Sequence, residues 1–250
     1  MRIKNNLIQD HSSTYTAQGL INLPHKIRLK ECFEVIKRNI PNNVDKIIDF
    51  GGESGFLGDF LSIYLLNIKF QKIYDIKHPL SENITTKFYE PDLETEYYTF
   101  NMNNDNFDIQ GIDSDSLIIC SETLEHVRNP YRNSRDIIDL AIKSNCDLYI
   151  SFPIERGIKG FIKFFIKLFI GRYKKRRTLR SILNQILWFF RLKKEFRDKK
   201  NIYSEHDGFD NVELTEQIVK YSIYKNIECK VLKGLLTIHI YITNKKKKFF

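Results

Sequence analysis

Four residues suited to holding a ligand stand within seven positions of one another: Asp49, Gly51, Gly52 and Gly55, in the stretch IIDFGGESGFLG spanning 47–58. The branched apolar residues before them read as a strand and the apolar run after them as a helix. Glycines at such a junction let the backbone turn sharply and approach a ligand closely. The helix start adds amide hydrogens that lack a partner within the helix, so an anionic group is welcome there. Taken alone, the loop equally fits an ordinary strand-to-helix turn. Its spacing is not GxGxxG: with Gly51 in first place, Glu53 and Phe56 occupy the other glycine positions. No GK[ST] follows, which excludes a triphosphate loop.

Two further groups of residues belong to the same edge if the strands are parallel. Asp75 ends the next strand, 26 residues after Asp49, and an acid there is placed to accept two hydrogen bonds from ribose hydroxyls. In LIICSETLEHVRNP a strand runs into Ser121, Glu122, Thr123, Leu124, Glu125, His126 and Val127. His126, at the start of the following helix, and His206, in YSEHDGF, are the candidate general bases, because imidazole titrates in the useful range. A cap or packing role is the plain alternative for each. Glu125 and Glu155 are weaker candidates, and Glu125 is alternatively expected to pair with Arg128 at i to i+3 on a helix surface.

The elements that must position these residues follow from hydrophobic periodicity. Seven strand-like runs are short, β-branched or aromatic: 46–50, 71–76, 97–102, 116–120, 146–152, 226–232 and 235–243. Helical spacing appears over 26–39, 55–67, 130–143 and 213–224. This alternation predicts an α/β fold, a doubly wound, mostly parallel seven-stranded sheet with helices on both faces. Only Lys233 and Gly234 separate the last two strands, too little for a crossover helix. They must form a C-terminal hairpin, which adds one antiparallel strand, expected at the edge. Open sheets of this kind bind ligands beyond the carboxyl ends of their strands, where the three groups would lie.

Together the three groups resemble the class I S-adenosylmethionine-dependent methyltransferases, in particular the small-molecule branch with DxGCGxG after the first strand and SEVLEHV after the fourth. The resemblance covers roughly 30–155 and 203–243. Asp49, Gly51, Gly52 and Gly55 match the first motif, with Glu53 where the family usually has its middle glycine. It implies a Rossmann-like methyltransferase fold, S-adenosyl-L-methionine as cofactor and no metal. Asp49 and the glycine backbone would hold the methionyl end, Asp75 the ribose, and Glu122 would lie beside the methionine. The adenine contact falls within NMNND (101–105), with Asn101 and Asp105 as equal choices. A carboxylate at Glu53 would repel the methionyl carboxylate and could pair with its ammonium group.

Charge divides the chain into two parts. Between Arg156 and Lys200 stand 16 Lys and Arg against Glu195 and Asp198, a local balance of +14. The net charge is +9, so the remaining chain carries −5. The 250 residues therefore read as a single domain with a helical, basic and apolar insertion over 157–200. Lys159, Lys163 and Lys167 form one cationic stripe on an otherwise apolar helix of about 13 residues, shorter than the ~20 that cross a bilayer. Basic residues beside a broad apolar face suit a helix lying in an anionic membrane interface. The alternative is a pair of helices packed together as a lid. Either accommodates a small-molecule or lipid-linked acceptor.

An RNA methyltransferase using the +14 segment is a competing expectation, although CSET after strand four is not the Asn/Asp-Pro-Pro-aromatic tetrapeptide of nucleobase amino methylases, so nucleic acid is not the expected partner. A non-catalytic adaptor built on the same fold is another, supported by Glu53. Cys32, Cys120, Cys146 and Cys229 are scattered, with neither CxxC nor metal-ligand spacing, so no disulfide and no zinc are expected. The N-terminal stretch lacks an apolar core with a small-residue cleavage site. The expectation is a cytoplasmic protein, peripheral on the inner membrane face if the insertion binds lipid.

Overall fold

The computed structural model describes residues 23–52, 55–65, 67–76, 93–155, 157–169, 183, 186–187, 190 and 210–244. In chain order the elements are α1 (Leu23–Asn39), β1 (Lys46–Phe50), α2 (Phe56–Tyr64), β2 (Phe70–Asp75), β3 (Glu94–Thr99), β4 (Ser116–Ser121), α3 (Pro130–Lys143), β5 (Asp147–Pro153), α4 (Gly157–Phe169), α5 (Asn211–Tyr224), β6 (Glu228–Lys233) and β7 (Thr237–Thr243). The seven strands form one sheet in the order β3-β2-β1-β4-β5-β7-β6. Strands β1 to β5 are mutually parallel, and β7 runs antiparallel to both β5 and β6.

Successive strand residues point to opposite faces, and both faces are apolar, as a sheet covered on two sides requires. Ile47, Leu117, Ile119, Tyr149 and Tyr241 pack with Cys32, Phe33 and Ile36 of α1 and with Leu57, Phe60 and Leu61 of α2. Ile48, Phe50, Ile118, Cys120, Leu148 and Ile150 pack on the other face with Ile137, Ile138 and Leu140 of α3 and Leu214 and Ile218 of α5. Helix starts are marked chemically. Asn129 accepts a hydrogen bond from the Arg132 amide ahead of Pro130, and Asp210 accepts from the amides of Val212 and Glu213.

The sheet differs from expectation at both edges, for one physical reason. The antiparallel strand β7 is not at the edge but lies between β5 and β6. Its Ile238, Ile240, Tyr241 and Ile242 are buried and need neighbours on both sides, whereas β6, with Glu228, Lys230 and Lys233, tolerates the rim. At the far edge β3 is Glu94–Thr99, not 97–102, its register set by β2 from Phe70↔Glu94 to Asp75↔Thr99. Phe100 and Met102 are buried beyond its end, so their apolar character reflects core packing outside the ladder. The rim is charged there too, with Lys72 3.3 Å from Glu96.

Candidate functional site

β1 delivers the chain to the carboxyl edge, where Gly51 turns it with φ +74°, a conformation that side chains disfavour. Its amide donates to the Tyr74 carbonyl of β2 at 2.8 Å. A methyl group on Gly51 would run into the side chain of Thr123, which bears on the bend from β4. The Thr123 hydroxyl lies 3.1 Å from the Phe50 carbonyl and 2.9 Å from that of Ser121, so the loop after β4 is fastened to the glycine bend. At Gly52 a methyl group would sit 2.5 Å from the Asp49 carboxylate. The turn closes with the Gly55 amide donating to the Gly52 carbonyl at 2.7 Å, and α2 begins directly after it. What results is a cradle of bare backbone bounded by Asp49 and Thr123.

Gly51→Ala is therefore expected to cost about 1–2 kcal/mol for the left-handed backbone, with a further cost for displacing Thr123. In a chain of this size that lowers the melting temperature by roughly 5 °C or more. An unchanged thermal unfolding curve would show that the bend is not held as described.

Two carboxylates flank the cradle. Asp49 is 2% exposed, and its carboxyl is pushed up to about 7, chiefly by burial and then by the negative charge of Asp75. Asp49 pairs in register with Ile73, and Asp75, two residues further along β2 and its last residue, therefore faces the same side of the sheet. The loop after β3 also reaches this edge. The Asn101 amide donates to the Asp105 carboxylate at 2.6 Å, and Asn101 Oδ1 accepts from the Asn103 amide at 3.0 Å. Asn103 Oδ1 accepts from the Arg128 amide at 2.7 Å, tying the loop to the segment after β4. Asn101 and Asp105 thus help build one turn, and each keeps its place as a candidate adenine contact.

Beyond β4 the backbone is unusual. Glu122 has φ +53°, which costs an ordinary residue about 1–2 kcal/mol, and its amide donates to the Ser151 carbonyl at 2.9 Å. Its carboxylate meets Arg28 of α1 at 2.5 Å, with only 15% of the Arg28 side chain and 24% of the Glu122 side chain exposed. Arg28 Nε is buried without an acceptor. Sequence reasoning missed this arginine, although it lies one and two helical turns before the buried Cys32 and Ile36, in register with the face that packs on the sheet.

Two expectations for this segment are corrected. Leu124–His126 form a single 3-10 turn, and α3 starts only at Pro130, so His126 does not open the helix; its amide instead donates to the Thr123 carbonyl at 2.9 Å. Glu125 is not on a helix surface where it could pair with Arg128: it is 1% exposed, because the tighter turn directs it inward. Burial above all, with the nearby Glu122 charge, raises its carboxyl well above the usual carboxylate range. Glu155 stands close enough to add to that shift. His206 and Glu53 lie outside the described residues. Among the described residues no group of three or more His, Cys, Asp or Glu side chains is arranged to hold a metal ion, and the four cysteines are free thiols.

No protein-family model matches the sequence, and no curated protein matches it either. Solved structures do resemble it in fold. One is an O-methyltransferase family protein from Burkholderia thailandensis, at 12% identity and a TM-score of 0.52, covering 86% of this chain and 55% of that one. Another is the small RNA methyltransferase HEN1, at 14% identity and a TM-score of 0.56, covering 90% and 26%. A third is the N-methyltransferase NodS from Bradyrhizobium japonicum WM9 in complex with S-adenosyl-L-homocysteine, at 9% identity and a TM-score of 0.50, covering 90% of each chain. This chain thus spans about half the length of the first and a quarter of the second. Its strand order, hairpin and glycine bend make it a chain with the fold of the class I S-adenosylmethionine-dependent methyltransferases.

Proposed function

We propose that the protein is an S-adenosylmethionine-dependent methyltransferase acting on a small or lipid-linked acceptor. The observation that carries this reading is the cradle: Gly51 and Gly52 sit where any side chain would strike Thr123 or Asp49, with Asp75 beside them on the neighbouring strand. Backbone without side chains lets a ligand approach the chain closely. Asp49, Gly51, Gly52, Gly55 and Glu122 would take the amino-acid end, Asp75 the ribose, and Asn101 the adenine. The bound cofactor supplies a methyl group on a sulfonium, a leaving group that needs no activation. The chain's own task is then to hold the acceptor in line and keep water away. Where the acceptor is a hydroxyl, His126 or His206 would remove its proton.

The described part of the insertion supports contact with an anionic membrane surface. α4 exposes Ile158 and Ile162, at 72% and 53%, and Leu183 and Phe190 are exposed as well. Phe161 packs against Phe190 with ring centroids 5.2 Å apart, joining the two halves of the insertion, as a lid also requires. Among the described residues no helix is long and apolar enough to cross a membrane. Flotation with vesicles containing anionic lipid should carry the intact chain upward, and Ile158→Glu with Ile162→Glu should leave most of it at the bottom. Equal flotation of both would remove the membrane element.

A second reading, methylation of RNA, is favoured by the +14 balance of 156–200 together with the likeness to HEN1. Salt distinguishes the two. Binding to RNA falls steeply as salt rises, whereas apolar insertion into lipid does not. The methyltransferase reading itself is tested by titration with S-adenosylhomocysteine, since an adaptor with a dead pocket would give no saturable binding.

A further inference from the structure

The exposed aliphatic residues of α4 have company at their end of the molecule. β7 runs antiparallel to β5 with Thr237 opposite Pro153, so the turn over residues 234–236 that joins β6 to β7 lies at the carboxyl edge of the parallel strands. That is the edge that bears the glycine bend, and α4 leaves it directly after β5. Leu235, in the turn, is 57% exposed, and Leu232 of β6 is exposed as well.

The turn is fastened to α4 on one side and to α1 on the other. Lys159 Nζ donates to the Gly234 carbonyl at 3.1 Å, and the Ile154 amide donates to the Leu236 carbonyl at 2.9 Å. The Leu235 amide donates to the Glu31 carboxylate at 2.6 Å, and a methyl group on Gly234 would strike that same carboxylate. The backbone of the turn is therefore held in place while the Leu235 side chain faces solvent. A single exposed leucine means little, but Ile158, Ile162, Leu232 and Leu235, on two elements joined by hydrogen bonds, mark a contact surface.

Charge says what the surface meets. Lys159 and Lys233 stand exposed among these side chains, and the segment 156–200 adds its balance of +14. The opposite, amino edge carries Asp45, Asp113 and Asp115, ahead of β1 and β4. Asp75 of the cradle ends β2, four strands from β7 and so roughly 19 Å along the sheet, beyond the reach of a screened charge. Aliphatic side chains scattered among lysines suit the headgroup region of an anionic bilayer, whose fluid surface takes them up one at a time. A protein partner would need a packed, shape-matched patch instead.

Resting on the reading of the insertion as a membrane contact, we infer that the β6–β7 turn is a second contact, so that the protein lies on an anionic bilayer with the carboxyl edge of its sheet toward the lipid. The glycine bend follows β1, three strands from β7. The cofactor site then faces the surface from which a lipid-linked acceptor arrives.

The test measures partition of the intact chain onto vesicles of equal parts phosphatidylcholine and phosphatidylglycerol, by sedimentation, for wild type, Leu235→Gln, Leu235→Ala and Ile223→Gln. Ile223 is the control. It is 70% exposed near the end of α5, at the amino edge, where β6 begins. Leu235→Gln is expected to lower the partition coefficient about 10-fold and Leu235→Ala about 5-fold, the loss of one aliphatic side chain from the interface, while Ile223→Gln stays within about twofold. Thermal unfolding of the Leu235 variants should match wild type, since the backbone bonds of the turn are kept. Should Leu235→Gln not fold, Leu235→Ala decides alone. Leu235 variants that bind as wild type does would overturn the inference, and so would an equal loss in Ile223→Gln, because lipid would then not distinguish the two edges. A wild-type chain that does not bind these vesicles would end the membrane reading of the insertion as well, which separates the two failures.

Discussion

Asp75→Ala is expected to weaken S-adenosylhomocysteine binding by about 100-fold. A carboxylate that accepts two ribose hydroxyls gives up two charge-assisted hydrogen bonds on truncation, together roughly 3 kcal/mol. Asp75 is also the like charge that, after burial, raises the Asp49 carboxyl, so its truncation removes that repulsion. The signature is a loss of affinity in a chain that remains folded. Calorimetric titration and urea unfolding of the same sample would show it. Affinity within threefold of wild type would mean that the ribose is not held at the end of β2.

The second large effect concerns pH. Burial, and then the charge of Asp75, push the Asp49 carboxyl of the folded chain from the ordinary 3.8 up to about 7. The native state thus keeps a proton that the unfolded chain has already released. Stability contributed by the protonated form is complete below the unfolded value and declines as pH rises through the window from 3.8 to about 7. At about 1.4 kcal/mol per pH unit, full ionisation costs roughly 4 kcal/mol. Asp49→Asn carries no such penalty. Half-buried Asp59, whose carboxyl is also pushed to about 7 by loss of solvation, and buried Glu125 titrate in both proteins and cancel in the difference. The stability of Asp49→Asn minus that of wild type, from urea unfolding, is expected to grow by about 3 kcal/mol between pH 4 and pH 8. A constant difference would show that Asp49 ionises freely where it stands.

Much of the architecture was legible where a single force dominates. KIIDF and PYRNSRDIIDLAIK are flanked by turn or capping chemistry, and their periodicities placed β1 and α3 at their observed ends. The hairpin followed from chain length alone, because two residues cannot carry a crossover. What failed were judgements that need tertiary context. The apolar content of 97–102 mixed an edge strand with core residues beyond it. The burial of β7 between two partners could not be read from its own sequence, since an alternating strand and a doubly covered one share most residue types. Glu125 was misassigned because a helix of ordinary pitch was assumed where a 3-10 turn stands.

The site divides along the same line. The glycine bend and the acid on the next strand are local signals, set by backbone geometry within a few residues, and the structure brings Asp49, Gly51, Gly52, Gly55, Asp75, Asn101 and Glu122 to one sheet edge. Arg28 is different, because it meets Glu122 across 94 positions of sequence. Nothing local marks it except a charge on the buried face of α1.

The central claim is that an adenosyl cofactor rests over the glycine bend with its sugar at Asp75. Isothermal titration of the intact chain with S-adenosylhomocysteine tests it most directly. Saturable heat for one site per chain, with a micromolar dissociation constant, is the predicted result. The absence of saturable heat up to millimolar ligand, with the chain shown to be folded, would contradict it.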